Sequence, residues 1–287
     1  MARRGGRSSD MDVSQTTGLI LTILFTVLSV AFLYPIFLVL LNSFKSKLYI
    51  SDQPFSFPSG ETFVGMSNYV DGIAKTDFMS AAVNSVFITV FSVILIILVT
   101  SMTAWWITRV KCLFSTLTYF VFVFAMIVPF QMVMFTLSKV ADMLHLSNPV
   151  GIILVYIGFG AGQAVFMFAG FVKSIPISLE EAAMLDGCTP IQTFFLVVFP
   201  VLKPTTITVA ILQAMWIWND YLLPYLVLNS DYKTIPIAVQ YLKGGYGSID
   251  MGAMMGMLVL AIVPIVVFYL SCQKYIIRGV AAGAVKG

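Results

Sequence analysis

Charged side chains are scarce in this 287-residue chain: 16 Lys and Arg with 13 Asp and Glu make up 10% of it, against 59% hydrophobic residues. A soluble domain carries roughly a quarter charged residues and about half apolar ones, so these charges cannot coat a globule of this size. Three Cys without a CxxC pair exclude a disulfide framework and a zinc site, and no other metal-ligand spacing stands out. His145 is the only histidine, and no Ser or Cys sits in an activated arrangement, so a membrane hydrolase is disfavoured. No Gly-x-x-x-x-Gly-Lys-Ser/Thr run is present to cradle nucleotide phosphates. A net charge of +3, with no basic patch interleaved with aromatics, gives no sign of nucleic acid as a partner. Internal repeats and low-complexity linkers are also missing. Disorder is excluded because 24 Phe, 12 Tyr and many aliphatics cannot stay solvated.

What the chain does have is long apolar runs. About 20 such residues cross the hydrocarbon core as a helix, because lipid satisfies no exposed backbone polar group. Six runs are read: Thr17–Leu41, Ala81–Thr108, Leu113–Leu137, Val150–Val172, Thr205–Leu228 and Gly252–Cys272. Of the charged residues, only Asp220 falls inside one of them. Many β-branched residues in these runs are weak helix formers in water, a preference that lipid overrides. The sequence therefore predicts a cytoplasmic segment over 1–16, one membrane domain over 17–272 and a cytoplasmic tail over 273–287. Arg3, Arg4 and Arg7 precede the first run, which is too long for a signal-peptide core and is expected to remain as an anchor. With both termini inside, ten Lys and Arg lie on inner segments and six on outer ones, which sets the orientation. Trp105 and Trp106 then read as interfacial belt residues.

The inner loop over 173–204 is the informative one. Ser178, followed three residues later by Glu181, reads as a capping box, and Glu180 and Glu181 suit the positive end of a helix dipole. Ala182, Ala183, Met184 and Leu185 favour helix, and Gly187 supplies a left-handed stop. A short helix with a flat Ala182–Ala183 face and outward carboxylates is suited to a groove in another protein. Glu180, Glu181 and Asp186 are read as docking residues; the alternative is a connector helix without a partner.

Glu181-Ala182-Ala183, Gly187, Phe199-Pro200 and Pro204 resemble the EAA loop of ABC importer permeases, with Val197 and Phe199 where that family usually has Ile and Leu. Asn42-Ser-Phe-Lys45, Val128-Pro-Phe-Gln131, Trp218-Asn-Asp-Tyr-Leu-Leu-Pro224 and the tail from Gln273 to Gly287 extend the resemblance to the MalG-like branch of sugar importers. The resemblance implies an all-α integral membrane protein with six transmembrane helices, the type I ABC importer permease fold with its cytoplasmic coupling helix. It also implies a bacterial cytoplasmic membrane, a second permease, two ATPase subunits that use ATP and Mg, and an external sugar-binding protein. The chain itself is then no enzyme and binds no cofactor. An ion-coupled carrier is the alternative; it needs a second intramembrane acidic group or discontinuous helices.

Asp220 is the ionisable group at membrane depth, and such groups face protein or water. At helical spacing Gln213, Trp216, Asp220 and Pro224 share one face, offering polar groups beside an aromatic plate, as a sugar would use. Asn219, Tyr221 and, beside Pro129, Gln131 join this candidate pathway; Pro129 frees a carbonyl and favours a kink. Packing between helices is the equal alternative for the whole set. Asn84 stands near the outer mouth as a cap or lining group. Gly252 and Gly256 form a small-residue pair suited to a packing seam. The outer loop over 229–251 holds Tyr232, Tyr241, Gly244, Gly245 and Tyr246; the resemblance has it face the binding protein, while a solvated turn is the alternative.

Overall fold

A computed structural model describes residues 15–242 and 249–284, with side chains as far as Lys274. Gly244, Gly245 and Tyr246 lie outside the described residues. The described chain is helical, its one bridge being Lys45 to Phe63. The helices are α1 (Gln15–Asn42), α2 (Lys47–Asp52), α3 (Ser67–Thr76), α4 (Phe78–Arg109), α5 (Leu113–Ile127), α6 (Phe130–Met143) and α7 (Gly151–Val172). There follow α8 (Ile177–Leu185), α9 (Pro190–Thr193), a π-helical segment Phe194–Val198, α10 (Phe199–Val201) and α11 (Lys203–Asn219). The chain ends with α12 (Leu222–Val227), α13 (Ile235–Tyr241) and α14 (Met251–Ala284).

Among the described residues four helices, α1, α4, α7 and α14, are long and apolar enough to cross a membrane, rising to six if each of two bent pairs is one span. The bends correct two of the expected runs. The run Leu113–Leu137 is not one helix: α5 and α6 meet at 107°. Pro129 has no N–H to continue the ladder and holds Val128 in extended geometry (ψ 115°). The run Thr205–Leu228 also breaks, after Asn219, where Asp220 is extended (ψ 123°). Its other end begins earlier than the apolar pattern suggests, since Pro190–Val201 leads into α11 through a 77° bend.

Helix α7 forms the centre because its small residues allow close approach. A side chain at Gly160 would collide with Ile96 of α4 and Gln213 of α11, and one at Gly162 with Met126 and the Phe122 carbonyl of α5. Small residues at these crossings replace the hydrophobic drive that is missing between helices in lipid. Ile96, Tyr156, Phe168, Phe194 and Leu202 are fully buried in the resulting core. By contrast α1, apolar on every side, buries only Leu41 and Asn42 at its end.

A polar knot closes the end of α1. The Asn42 amide donates to the carbonyls of Leu38 and Pro54, and Ser43 Oγ lies 2.6 Å from Tyr69 Oη. The buried Lys45 ammonium donates to the Gln53 carbonyl at 2.7 Å, and burial lowers its pKa. Asn68 Nδ2 donates to the carbonyls of Ser43 and Lys45, both at 2.8 Å. Gly252 and Gly256 of α14 form the expected seam against this Asn68, where a Cβ at 252 would overlap the amide. Gly252→Val should lower the stability of the detergent-solubilised chain by about 1–3 kcal/mol through overpacking, read as a drop in Tm.

Lys75 of α3 pairs with Asp250 at 2.6 Å. Burial by itself pushes the Asp250 carboxyl up, but hydrogen bonds from Lys75 and the Ala253 N–H hold it below its ordinary value; the same Lys75 bond raises the ammonium. The carboxylate's contribution is complete above about pH 4 and lost as pH falls through its lowered folded value; the ammonium's is lost only in strong alkali. The pair is partly exposed, so it contributes under about 1 kcal/mol. Asp250→Asn should lower Tm slightly at neutral pH, and the difference from the unaltered chain should shrink when melting is repeated near pH 3.

Candidate functional site

Helix α8 runs between two backbone signals. Pro176 (φ −59°, ψ 131°) stands at its N-cap, and Gly187 takes the left-handed conformation (φ 90°) after its end. The Gly187 N–H donates to Met184 O and the Cys188 N–H to Ala183 O, the double bond that closes a helix on a left-handed glycine. The expected Ser178–Glu181 capping box is not formed. The helix already starts at Ile177, so Ser178 lies inside the first turn, exposed and without a capping role.

The faces of α8 also differ from expectation. Ala182 and Ala183 do not share a flat face: Ala183 is buried and Ala182 exposed, as a 100° step between neighbours requires. Glu181 and Asp186 point outward. Glu180 does not, being 4% exposed. Arg109, in the last turn of α4, donates to Glu180 Oε1 from Nε at 2.9 Å and from a terminal nitrogen at 2.7 Å. Trp105 Nε1 donates to Oε2 at 2.9 Å. The same Arg109 terminal nitrogen also donates to the Ile175 carbonyl at 2.9 Å, just before α8. Both carboxylate oxygens are thus satisfied, which is how a buried charge is tolerated.

Trp105 is therefore a ligand of Glu180 and not a belt residue; its ring also lies 5.5 Å from that of Phe194 in the π segment. Trp105 and Arg109 are four residues apart on one helix face, a spacing visible in the sequence, but nothing there said what that face meets. On the outer side of α8, Leu185 is 88% exposed, with Ile177 and Met184 also open.

The second group lies where α11 ends. Because Asp220 is not helical, Gln213, Trp216, Asp220 and Pro224 do not form the continuous stripe expected of them. Asp220 Oδ1 accepts from the N–H groups of Leu222 and Leu223 at 3.0 and 3.3 Å, and Oδ2 from Tyr156 Oη at 3.1 Å. Gln213 is buried and its amide donates to Gly160 O and Gln163 Oε1; Trp216 packs edge-on against Tyr156; Pro224 is buried. Gln213, Trp216 and Asp220 thus each contact α7, and Trp216 remains 40% exposed. Gln131 is exposed in the first turn of α6. Asn219 and Tyr221 instead line an open cleft of about 300 Å³ with Trp218 and Gln240. Aromatic plates beside amides are groups that hold a sugar ring; Ile235, Pro236 and Val239 of α13 with Leu258, Ala261, Ile262 and Ile265 of α14 make the rest of the wall aliphatic.

Between α12 and α14, Tyr232 and Tyr241, the latter at the end of α13, are exposed, and the Lys233 ammonium sits 4.4 Å from the Tyr241 ring centre. Asn84 of α4 donates to the Lys233 carbonyl at 3.1 Å, so it ties this loop to the bundle. It also lines a polar cavity with Asp77, Ser80, Ser230 and Asp231.

Residues 75–282 match the family model described as "Binding-protein-dependent transport system inner membrane component". The chain is 40% identical to the probable starch degradation products transport system permease protein AmyC of Thermoanaerobacterium thermosulfurigenes, over 93% of this chain and 96% of that one. It is 34% identical to the multiple sugar-binding transport system permease protein MsmG of Streptococcus mutans, over 92% and 95% of the two chains. A crystal structure of a bacterial ABC transporter involved in the import of the acidic polysaccharide alginate is similar with a TM-score of 0.74 and 25% identity, covering 93% of this chain and 98% of that one.

The two kinds of residue around the α11–α12 break should separate in a stability measurement. Tyr156→Phe should cost about 1 kcal/mol for the lost hydrogen bond to Asp220. Asn219→Ala, at an exposed position, should stay within about 0.5 kcal/mol. Thermal unfolding of the purified chain in detergent reads both.

Proposed function

The chain belongs to the family of binding-protein-dependent transport system inner membrane components, and on that premise we propose that it is the permease subunit of an ATP-driven importer of sugars, oligosaccharides in particular. The names of the similar proteins, with starch degradation products, multiple sugars and alginate as what they transport or import, support the substrate class. Membership in this family replaces the ion-coupled carrier as a reading. The protein sits in the bacterial cytoplasmic membrane with both termini inside and six spans, each bent pair counting as one. A second permease completes the translocation pathway, and α1, apolar and unburied, is free to face lipid or that partner.

Hydrolysis belongs to two separate ATPase subunits, which use ATP and Mg. They dock on α8. The observation that carries this reading is the outward side of that helix, with Leu185 almost wholly exposed beside Glu181 and Asp186. An apolar knob rimmed by carboxylates fits a groove with a basic edge. Closure of the ATPase pair moves α8, and the bundle alternates between inward- and outward-open arrangements. An external binding protein presents the sugar at the loop containing Tyr232 and Tyr241. Within the pathway Asn219 and Tyr221, with Trp218 and Gln240, contact the passing sugar. Gln213, Trp216, Asp220 and Pro224 keep the helix break in shape.

Reconstituted vesicles containing the partner permease, the ATPases and the binding protein should take up sugar only when ATP is supplied, and an ionophore should not reduce it. Leu185→Glu should lower uptake by about tenfold or more, by placing a charge in an apolar contact, while Tm stays near that of the unaltered chain. Uptake driven by an ion gradient without ATP would refute the reading.

A further inference from the structure

The buried carboxylate of Glu180 has no part in an outward docking face, so its use must be sought within the fold. Its partners Arg109 and Trp105 stand one turn apart at the end of α4. At the opposite end of the same helix, Asn84 donates to the Lys233 carbonyl, and Ser85 Oγ accepts the Ile235 N–H at 2.8 Å. Helix α4 is thus hydrogen-bonded to α8 at one end and to the 229–251 loop at the other. It contains neither Gly nor Pro, whereas α1 and α14 each carry an internal proline and α7 carries several glycines. A helix lacking those residues lacks the usual causes of kinks. Ser85 to Arg109 spans about 36 Å at about 1.5 Å per residue.

Resting on the assignment of α8 as the ATPase-docking helix, we infer that α4 is the rod joining the ATPase contact to the binding-protein loop, and that Glu180, clamped by Arg109 and Trp105, is its inner joint. By its chain connections alone, α8 hangs from α7 through the short turn over 173–176 and is free to pivot there. Arg109 grips the Ile175 carbonyl inside that turn and Glu180 beyond it, and so fixes both the turn and α8 to the end of α4. The planar fork of arginine suits this double grip, which lysine's single ammonium does not reproduce. A displacement of α8 then moves α4 along its length, and arrival of a loaded binding protein at the loop is felt at α8 by the reverse route, as linkage requires. Glu180, Arg109 and Trp105 act as positioning residues, touching neither sugar nor nucleotide.

The assembled complex in lipid tests this through the stimulation of its ATPase by sugar-loaded binding protein, measured with the unstimulated rate and subunit content. Glu180→Gln should reduce the stimulation by about tenfold, in the usual range of coupling between sites, with the unstimulated rate and assembly retained. Arg109→Lys should fall between that variant and the unaltered complex. Joining Arg109→Gln to Glu180→Gln should add little to either alone, since both open the same joint. Where Glu180→Gln prevents assembly, Trp105→Phe takes its place: it removes one donor and keeps the ring against Phe194. Full stimulation in an assembled variant, or stimulated and unstimulated rates falling in parallel, overturns the joint. A Leu185→Cys complex that forms no cross-link to an ATPase subunit, with no ATP-driven uptake in the unaltered complex, overturns the docking assignment and the joint together.

Discussion

Hydrocarbon offers no partner to a backbone N–H or C=O, so wherever this chain leaves helical geometry at membrane depth it must bring its own. The break after α11 does so with Asp220, whose carboxylate takes the first free N–H groups of α12 and the hydroxyl of Tyr156 on α7. The break between α5 and α6 falls at Pro129, which has no N–H to satisfy. The π segment before α11 absorbs Pro200 by letting the Phe199 N–H reach back five residues to Phe194. The bends at Pro129 and before α11 turn a straight apolar run into a bent helix pair, and the cleft lined by Asn219 and Tyr221 opens where α11 stops.

The same requirement governs charge. Glu180 is covered by protein, and Arg109 and Trp105 occupy both of its oxygens. Removing one partner from such an arrangement costs about 3–5 kcal/mol, since the remaining charge is left buried. The exposed pair Lys75–Asp250 is worth far less, although its separation is as short. Burial, not distance, sets how much each ion pair contributes. Small residues have a comparable role on the apolar side: Gly160 and Gly162 bring α4, α5 and α11 against α7, and Gly252 lets α14 close on Asn68.

Much of the functional reading was legible in residue order. Hydropathy located the apolar runs, and the Glu181-Ala182-Ala183 stretch ending at Gly187 marked a short helix between two of them, which α8 matches in place and in its left-handed stop. Less legible was which way its side chains face. Ser178 looked like a cap because a hydroxyl three residues before a carboxylate makes the same pattern whether the helix begins there or two residues sooner. Glu180 looked like a docking group because nothing local reveals that Arg109, 71 residues away, lies above it. Trp105 passed for a belt residue for the same reason.

Composition and periodicity by themselves determined that the chain enters a membrane, which stretches are apolar enough to cross it, and where its short polar helix lies, since each follows from local transfer energies and helix-ending residues. Only tertiary structure decided the roles within those stretches. Gln213, Trp216 and Asp220, open in the sequence between a sugar-facing stripe and helix packing, each contact α7, while their neighbours Asn219 and Tyr221 line a cleft. A single extended residue at Asp220 takes Tyr221 and Pro224 out of the register that α11 would have given them, while the partners of Gln213 and Trp216 are set by how α11 packs on α7. Which contacts then form depends on where α7, α13 and α14 come to rest, and no local segment encodes that.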